Sequence, residues 1–273
     1  RRRDFLQLML DARDSVSHVT VDHFDVVNQA DLNVPDVKDK DKSVPKMSTK
    51  KLSEDEMLGQ AFIFLIAGYE TTSSLLSFTS YLLATHPDCQ EKLLCEVDKF
   101  TQEHGVADYS TVQNLPYMEM VLNEALRMYP PAFRFAREAS QDCTVMGQRI
   151  PAGSVVEIPI GYLQNDPRFW REPEKFNPER FTAEEKQKRH PFLFLPFGAG
   201  PRSCIGMRLA ILKAKIALCR LLQRFRFETC ELTQIPLQVS AMTTLRPKDG
   251  VYVTIIARHH TEEPALSSSA ASD

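Results

Sequence analysis

From residue 53 onward, apolar residues recur at three- and four-residue spacing in four stretches, and that pattern predicts the main elements. Ser53-Glu54-Asp55-Glu56 forms a Ser-x-x-Glu capping box with acids on the first turn, so a long helix is predicted from there to about Thr85, stopped at Pro87. A second helix is predicted from Asp88 to about Glu103, ending near Gly105, and a third from about Pro116 to Met128, stopped by Pro130-Pro131. A fourth runs from Met207 to Arg224. Between these, Cys143 to Met146, Arg149-Ile150 and Gly153 to Ile158 read as short strands around turns, as do Phe225 to Phe227 and Val251 to Ala257. Residues 166–201 are proline-rich and irregular. The opening RRRDFLQLMLDARDS has the pattern of a charged amphipathic helix. Residues 18–51 lose periodicity in an Asp/Lys-rich run, which predicts a mobile loop, and residues 259–273 predict a disordered tail. The expected fold class is mainly α with a minor β part, with residues 1–258 forming one domain.

Composition narrows the function. The chain has 273 residues, 43% hydrophobic and 25% charged, enough for a substantial core. A net charge of -3 gives no reason to expect nucleic acid as a partner. Six cysteines (Cys89, Cys95, Cys143, Cys204, Cys219 and Cys230) show no C-x-x-C pairing or zinc spacing, which suits free thiols in a reducing compartment. The most apolar region, Met57 to Thr85, is interrupted by Glu70 and by several Ser and Thr. A membrane span needs about 20 predominantly apolar residues, so none is expected here.

The most informative chemistry lies in Phe197-Gly198-Ala199-Gly200-Pro201-Arg202-Ser203-Cys204-Ile205-Gly206, directly before the fourth helix. A thiol at a helix N-terminus faces unpaired N–H groups and the positive end of the dipole, which favours thiolate. Glycines let backbone approach a flat ligand closely, and Arg202 is suited to pair with an anionic group on it. These are the requirements of a cysteinate axial ligand to haem iron. A buried structural cysteine and a nucleophilic cysteine are the alternatives.

The pattern Phe-x-x-Gly-x-Arg-x-Cys-x-Gly resembles the haem-thiolate signature of the cytochrome P450 superfamily at every fixed position. The resemblance implies the C-terminal half of a P450 fold: oxygen-groove helix, Glu-x-x-Arg helix, cysteinate loop and the helix after it. It implies a cysteinate-ligated haem, with Cys204 as the metal ligand and Phe197, Gly198, Arg202 and Gly206 around the cofactor. Glu124-Ala125-Leu126-Arg127, by itself an ordinary i, i+3 surface pair, then matches a buried network completed by Arg180 of Pro178-Glu179-Arg180-Phe181. Ala67-Gly68-Tyr69-Glu70-Thr71-Thr72 reads alone as helix with one tolerated glycine and an exposed acid. By resemblance it is the oxygen groove, with Ala67 against the cofactor and Glu70 and Thr71 as proton-delivering groups. Gly68 and a back-bonding Thr71 are expected to loosen the helix there. By position alone, Arg137 matches a haem-propionate arginine, and Ala132, Phe133 and Thr243 match substrate-contact segments. The histidines, His104 and His190 among them, read as surface groups. Arg208, Lys213, Lys215 and Arg220 form a basic cluster suited to an acidic reductase or to simple solvation.

Within the superfamily, FIFLIAGYE, SYLLATHPDCQEKLL, LRMYPPAFRFAREASQDC, GQRIPAG, FNPERFTAE and LPFGAGPRSC resemble a branch that isomerises the prostaglandin endoperoxide prostaglandin H2 to thromboxane A2 by haem-assisted O–O cleavage. AGYETTSS and CIGMR are shared with neighbouring broad-specificity monooxygenases, which hydroxylate lipophilic substrates with electrons from an NADPH-dependent reductase. The isomerase branch carries an aliphatic residue where this chain has Thr71. The resemblance further implies the cytoplasmic face of the endoplasmic reticulum, with attachment through an N-terminal part not in this sequence. A third expectation is a haem-site fragment inactive without that part.

Overall fold

The computed structural model describes residues 52–258 together with Gln7, Met9 and Leu10, which are helical. The loop expected at 18–51 and the tail expected at 259–273 lie outside the described residues. Helix α1 spans Glu54–Thr85. Its capping box forms as the sequence predicts: the Glu56 N–H donates to Ser53 Oγ at 3.2 Å, and the Ser53 N–H donates to Glu56 Oε2 at 2.8 Å. α2 (Pro87–His104) follows, and its end is set by Gly105 at φ +72°, whose N–H donates to the Thr101 carbonyl at 2.9 Å. α3 (Pro116–Met128) starts on a proline, which has no N–H to leave unsatisfied in the first turn. Two of its other free N–H groups, on Tyr117 and Met118, donate to Glu96 of α2 at 2.7 and 2.8 Å. Burial pushes the Glu96 carboxyl up, and those two donors pull it back.

Among the described residues, four two-stranded antiparallel ladders supply the β part. β1 (Phe135–Glu138) pairs with β4 (Val155–Ile158), and β2 (Cys143–Val145) pairs with β3 (Gln148–Ile150). After β4 come a short helix α4 (Ile160–Leu163), a stretch of turns holding α5 (Ala183–Lys188), and the cysteine loop. α6 (Met207–Leu222) leads into β5 (Phe225–Glu228), which pairs with β8 (Thr254–Ala257). β6 (Val239–Ala241) and β7 (Leu245–Pro247) form the last hairpin. The sequence reading missed β1, β6, β7 and the helices inside 160–188. Elements of three to six residues are too short to declare a period.

The core lies where the C-terminal half of α1 meets α2, α3 and α6. Phe78, Leu82 and Leu83 of α1 pack with Leu93 and Val97 of α2, with Met118, Val121, Leu122 and Ala125 of α3, and with Leu218 and Leu222 of α6. The α3 set follows the i, i+3, i+4, i+7 rule, which turns one stripe of that helix to the core. Burying each such large side chain contributes about 1.5–3 kcal/mol. Gln90 ties β5 to this core by acting as a strand: its Oε1 accepts from the Phe227 N–H at 2.7 Å, and its Nε2 donates to the Phe227 carbonyl at 2.7 Å.

The N-terminal half of α1 is different. Leu58, Phe62, Ile63, Leu65, Ile66 and Tyr69 are exposed among the described residues. By length and apolar composition alone, α1 is capable of crossing a membrane, which corrects the expectation that no segment here qualifies. Its C-terminal half is committed instead to the protein core.

A buried ion network behind an exposed cysteine loop

Glu124 and Arg127 sit on the last two turns of α3, one turn apart and on the same face. Both side chains are fully buried. Arg127 Nε donates to Glu124 Oε2 at 2.7 Å and Nη2 donates to Oε1 at 2.9 Å, a bidentate fork. The remaining guanidinium donors reach the Gln164 carbonyl at 2.9 Å, Asn165 Oδ1 at 3.4 Å and the Pro173 carbonyl at 2.7 Å. All five N–H groups of Arg127 therefore have acceptors. Glu124 Oε1 also accepts from Arg180 Nε at 3.2 Å and from the Asn177 N–H at 3.0 Å.

Gln164 carries this network onward. Its Nε2 donates to the Leu126 and Arg127 carbonyls at 3.0 and 3.2 Å, and its Oε1 accepts from the Leu195 N–H at 2.9 Å. Leu195 is two residues before Phe197, so the network ends at the start of the cysteine loop. Arg189 closes the outer side, 4.4 Å over the Trp170 ring and 4.7 Å over Phe181. Burial brings its guanidinium down to about 10. The sequence reading missed Gln164, Trp170 and Arg189. A buried polar residue in an aperiodic stretch leaves no mark in hydropathy, and only the single Trp hinted at a packed site.

The loop itself is shaped by backbone. The Cys204 N–H donates to the Phe197 carbonyl at 2.8 Å, closing the turn, and Gly198 sits at φ +72° where a side chain would be strained. A Cβ on Gly198 would lie 3.6 Å from the Phe135 ring, so β1 packs on the loop. Arg137 shares that face of β1, two residues on. It is exposed, with Nη1 donating to the Ala136 carbonyl at 2.7 Å. Arg202 ends a single 3-10 turn (Gly200–Arg202) and is exposed. Cys204 is a free, exposed thiol three residues before α6.

On α1, Thr71 Oγ1 donates to the Ala67 carbonyl at 2.7 Å, the expected back-bond. The helix nonetheless runs continuously through Gly68 and Thr71, so the expected loosening is not seen. Lys213 Nζ donates to the Gly68 carbonyl at 3.1 Å, which anchors the groove residues to the helix that follows Cys204. Glu70 faces a cleft of about 460 Å³ lined also by Ser73, Ser77, Met242, Thr243 and Arg246. Glu70 and Thr243 are thus brought together, and Thr244, next to Thr243 in the expected substrate-contact segment Met242-Thr243-Thr244, donates to Glu70 Oε1 at 2.6 Å. The Leu245 N–H donates to the Pro131 carbonyl at 2.9 Å and the Gly161 N–H to the Phe133 carbonyl at 2.8 Å. The first bond holds the segment with Ala132 and Phe133 beside the one with Thr243, and the second ties it to α4.

Three of the four basic residues expected as a cluster on α6 are engaged within the protein. Lys215 is buried against Glu119 at 3.0 Å, Lys213 is tied to Gly68, and Arg220 Nε donates to the Ala107 carbonyl at 3.0 Å. Arg208 and Lys215 both line a second groove of about 1060 Å³ beside Phe197 and Gly198.

Against known proteins, the cytochrome P450 family model matches residues 1–255. The chain belongs to the cytochrome P450 family. Thromboxane-A synthase of Sus scrofa is 53% identical over 261 residues, and that of Rattus norvegicus 55% over 260, each alignment covering 94% of this chain and 49% of the relative. Cytochrome P450 3A16 of Mus musculus is 48% identical over 217 residues, 80% of this chain and 43% of the relative. The chain spans about half the length of the curated relatives it matches. The family implies a cysteinate-ligated haem, and the residues of this P450 fit one. The thiol is free and exposed. Gly206 packs beside the sulfur: a Cβ there would stand 3.9 Å from Cys204 Sγ, an ordinary contact distance.

Proposed function

We propose that this P450 chain belongs to an endoperoxide isomerase resembling thromboxane-A synthase, acting on prostaglandin H2 or a close lipid endoperoxide. The observation that carries the reading is the 53–55% identity to thromboxane-A synthases over 94% of the chain, against 48% over 80% for the P450 3A relative. When bound, the haem supplies an iron centre for O–O cleavage, which electron donation from a thiolate favours. Cys204 holds that iron, with Phe197, Gly198 and Gly206 shaping the loop around the sulfur and Ala67 meeting the cofactor from α1. Arg202 and Arg137 take its carboxylates. Glu124, Arg127 and Arg180 brace the loop through Gln164 without touching substrate. Ala132, Phe133 and Thr243 line the substrate side.

Glu70 and Thr71 decide between two reactions. A monooxygenase needs an acid and an alcohol to hand protons to dioxygen, whereas an endoperoxide brings its own O–O bond. The isomerase reading is supported by the commitments of the pair: the Thr71 hydroxyl hydrogen lies on the Ala67 carbonyl, and Glu70 is engaged by Thr244. The second reading is NADPH- and reductase-dependent hydroxylation of lipophilic substrates. It is favoured by the intact Glu70-Thr71 pair and by the P450 3A similarity. Attachment to the endoplasmic reticulum belongs to either reading. The test is turnover of prostaglandin H2 by the holoenzyme without NADPH or reductase. Thromboxane formation is expected; its absence, with NADPH-dependent hydroxylation present, selects the second reading.

A further inference from the structure

Glu70 lies midway along a 32-residue helix, yet its carboxylate is engaged by a residue 174 positions later in the chain. Thr244 closes the loop 242–244 between β6 and β7, whose last pair is Ala241 with Leu245. At 2.6 Å the Thr244 Oγ1–Glu70 Oε1 contact is a short hydroxyl–carboxyl hydrogen bond. The base of the turn is fixed in its own right, because the neighbouring Leu245 N–H donates to the Pro131 carbonyl at 2.9 Å. Met242 and Thr243, the other two residues of the turn, line the same cleft as Glu70.

We infer that Thr244 is the positioning residue of Glu70, making the β6–β7 turn and the helix acid one mechanical unit. A glutamate has three rotatable side-chain bonds, and without a partner the carboxylate samples all of them. The Thr244 hydroxyl selects one and turns the carboxylate toward the cleft. A ligand that displaces Met242 or Thr243 moves Thr244 and so releases or re-aims the acid. The cationic side chains on the same wall, Arg246 and Lys248, are exposed, so solvent and salt screen their pull on Glu70. The short hydroxyl contact is what sets the geometry. The functional consequence rests on the haem-thiolate reading above, but the pairing itself does not.

Two measurements test it separately. The first is amide hydrogen exchange on the full chain, comparing wild type, Thr244→Val, Thr244→Ser, Glu70→Ala and the double variant Glu70→Ala/Thr244→Val. Loss of a hydrogen bond to a charged group is expected to speed exchange roughly tenfold in both 67–72 and 241–247. Thr244→Ser should restore protection, and the double variant should add nothing to Glu70→Ala. Wild-type exchange in Thr244→Val, or full additivity in the double variant, overturns the inference. The second is NADPH- and reductase-dependent hydroxylation by the holoenzyme, the reaction that draws on Glu70. Thr244→Val should reproduce the kcat change of Glu70→Ala at unchanged KM, with rescue by Thr244→Ser. Wild-type kcat in Thr244→Val alongside an impaired Glu70→Ala also overturns it. If Glu70→Ala leaves NADPH-dependent hydroxylation unchanged, the assignment of Glu70 as a proton-delivering group fails, and the exchange cycle still decides the pairing.

Discussion

Glu124 and Glu70 are both helix glutamates, but Glu124 is fully buried with four N–H donors on its carboxylate, whereas Glu70 stands at the edge of an open cleft with a single hydroxyl on it. The first belongs to a unit that α3, the turns after α4 and Leu195 complete among themselves. The second lies outside that unit, and the thiol, Arg137, Arg202 and the N-terminal half of α1 are likewise exposed. A buried ion pair needs every partner in place, because desolvation makes an orphaned charge costly. A cofactor- and substrate-facing surface needs the reverse, groups held in position but left available. The chain therefore joins a finished brace to an open face, with Gln164 as the joint between them.

Substitutions should separate the two regions by size of effect. Arg127→Ala leaves Glu124 buried with two of its four donors gone and is expected to destabilise the chain by about 3–5 kcal/mol, read as a lowered denaturant midpoint. An effect below about 1 kcal/mol would mean that the brace is not closed. Gln164→Ala unpairs the Leu195 N–H and the Leu126 and Arg127 carbonyls, which should cost about 1–3 kcal/mol. It should also increase exchange at 195–204 more than anywhere in α1. Thr71→Ala removes only a back-bond inside a helix, so stability should change by less than about 0.5 kcal/mol. In the holoenzyme it should cripple hydroxylation and leave endoperoxide isomerisation nearly unchanged; loss of both would place Thr71 in the isomerase chemistry. The smallest effect is local. Hydroxyl donors from Ser110 and Thr111, with the Thr111 N–H, bring the exposed Asp108 carboxyl down to about 2. A lowered folded-state value means that the stabilisation is fully present above about pH 4. It is lost as pH falls through 2, visible in amide shifts of Ser110 and Thr111 while the brace amides stay unchanged.

Helix ends were legible because capping and breaking residues act locally: Ser53 with Glu56, Gly105 and Pro130-Pro131 each mark a boundary the structure keeps. The Cys204 loop was legible for the same reason, since its turn is made by its own glycines and the Phe197–Cys204 backbone bond. What was not legible depends on distant partners. β1 exists through β4, Thr244 matters through Glu70, and Lys215 is buried only because α6 meets α3 at Glu119. Four basic residues close in sequence consequently read as one patch, although three of them turn to different partners. Glu124 and Arg127 illustrate the same limit. Spacing alone made them an ordinary surface pair, and only the family pattern indicated burial.

The central claim is that the brace presents Cys204 as the axial ligand of haem iron, and the reduced carbon-monoxide spectrum of the holoenzyme tests it most directly. Wild type should give the red-shifted Soret band of thiolate-ligated haem, and Cys204→Ser should lose that band while keeping the wild-type denaturant midpoint. A Cys204→Ser spectrum identical to wild type would contradict the account.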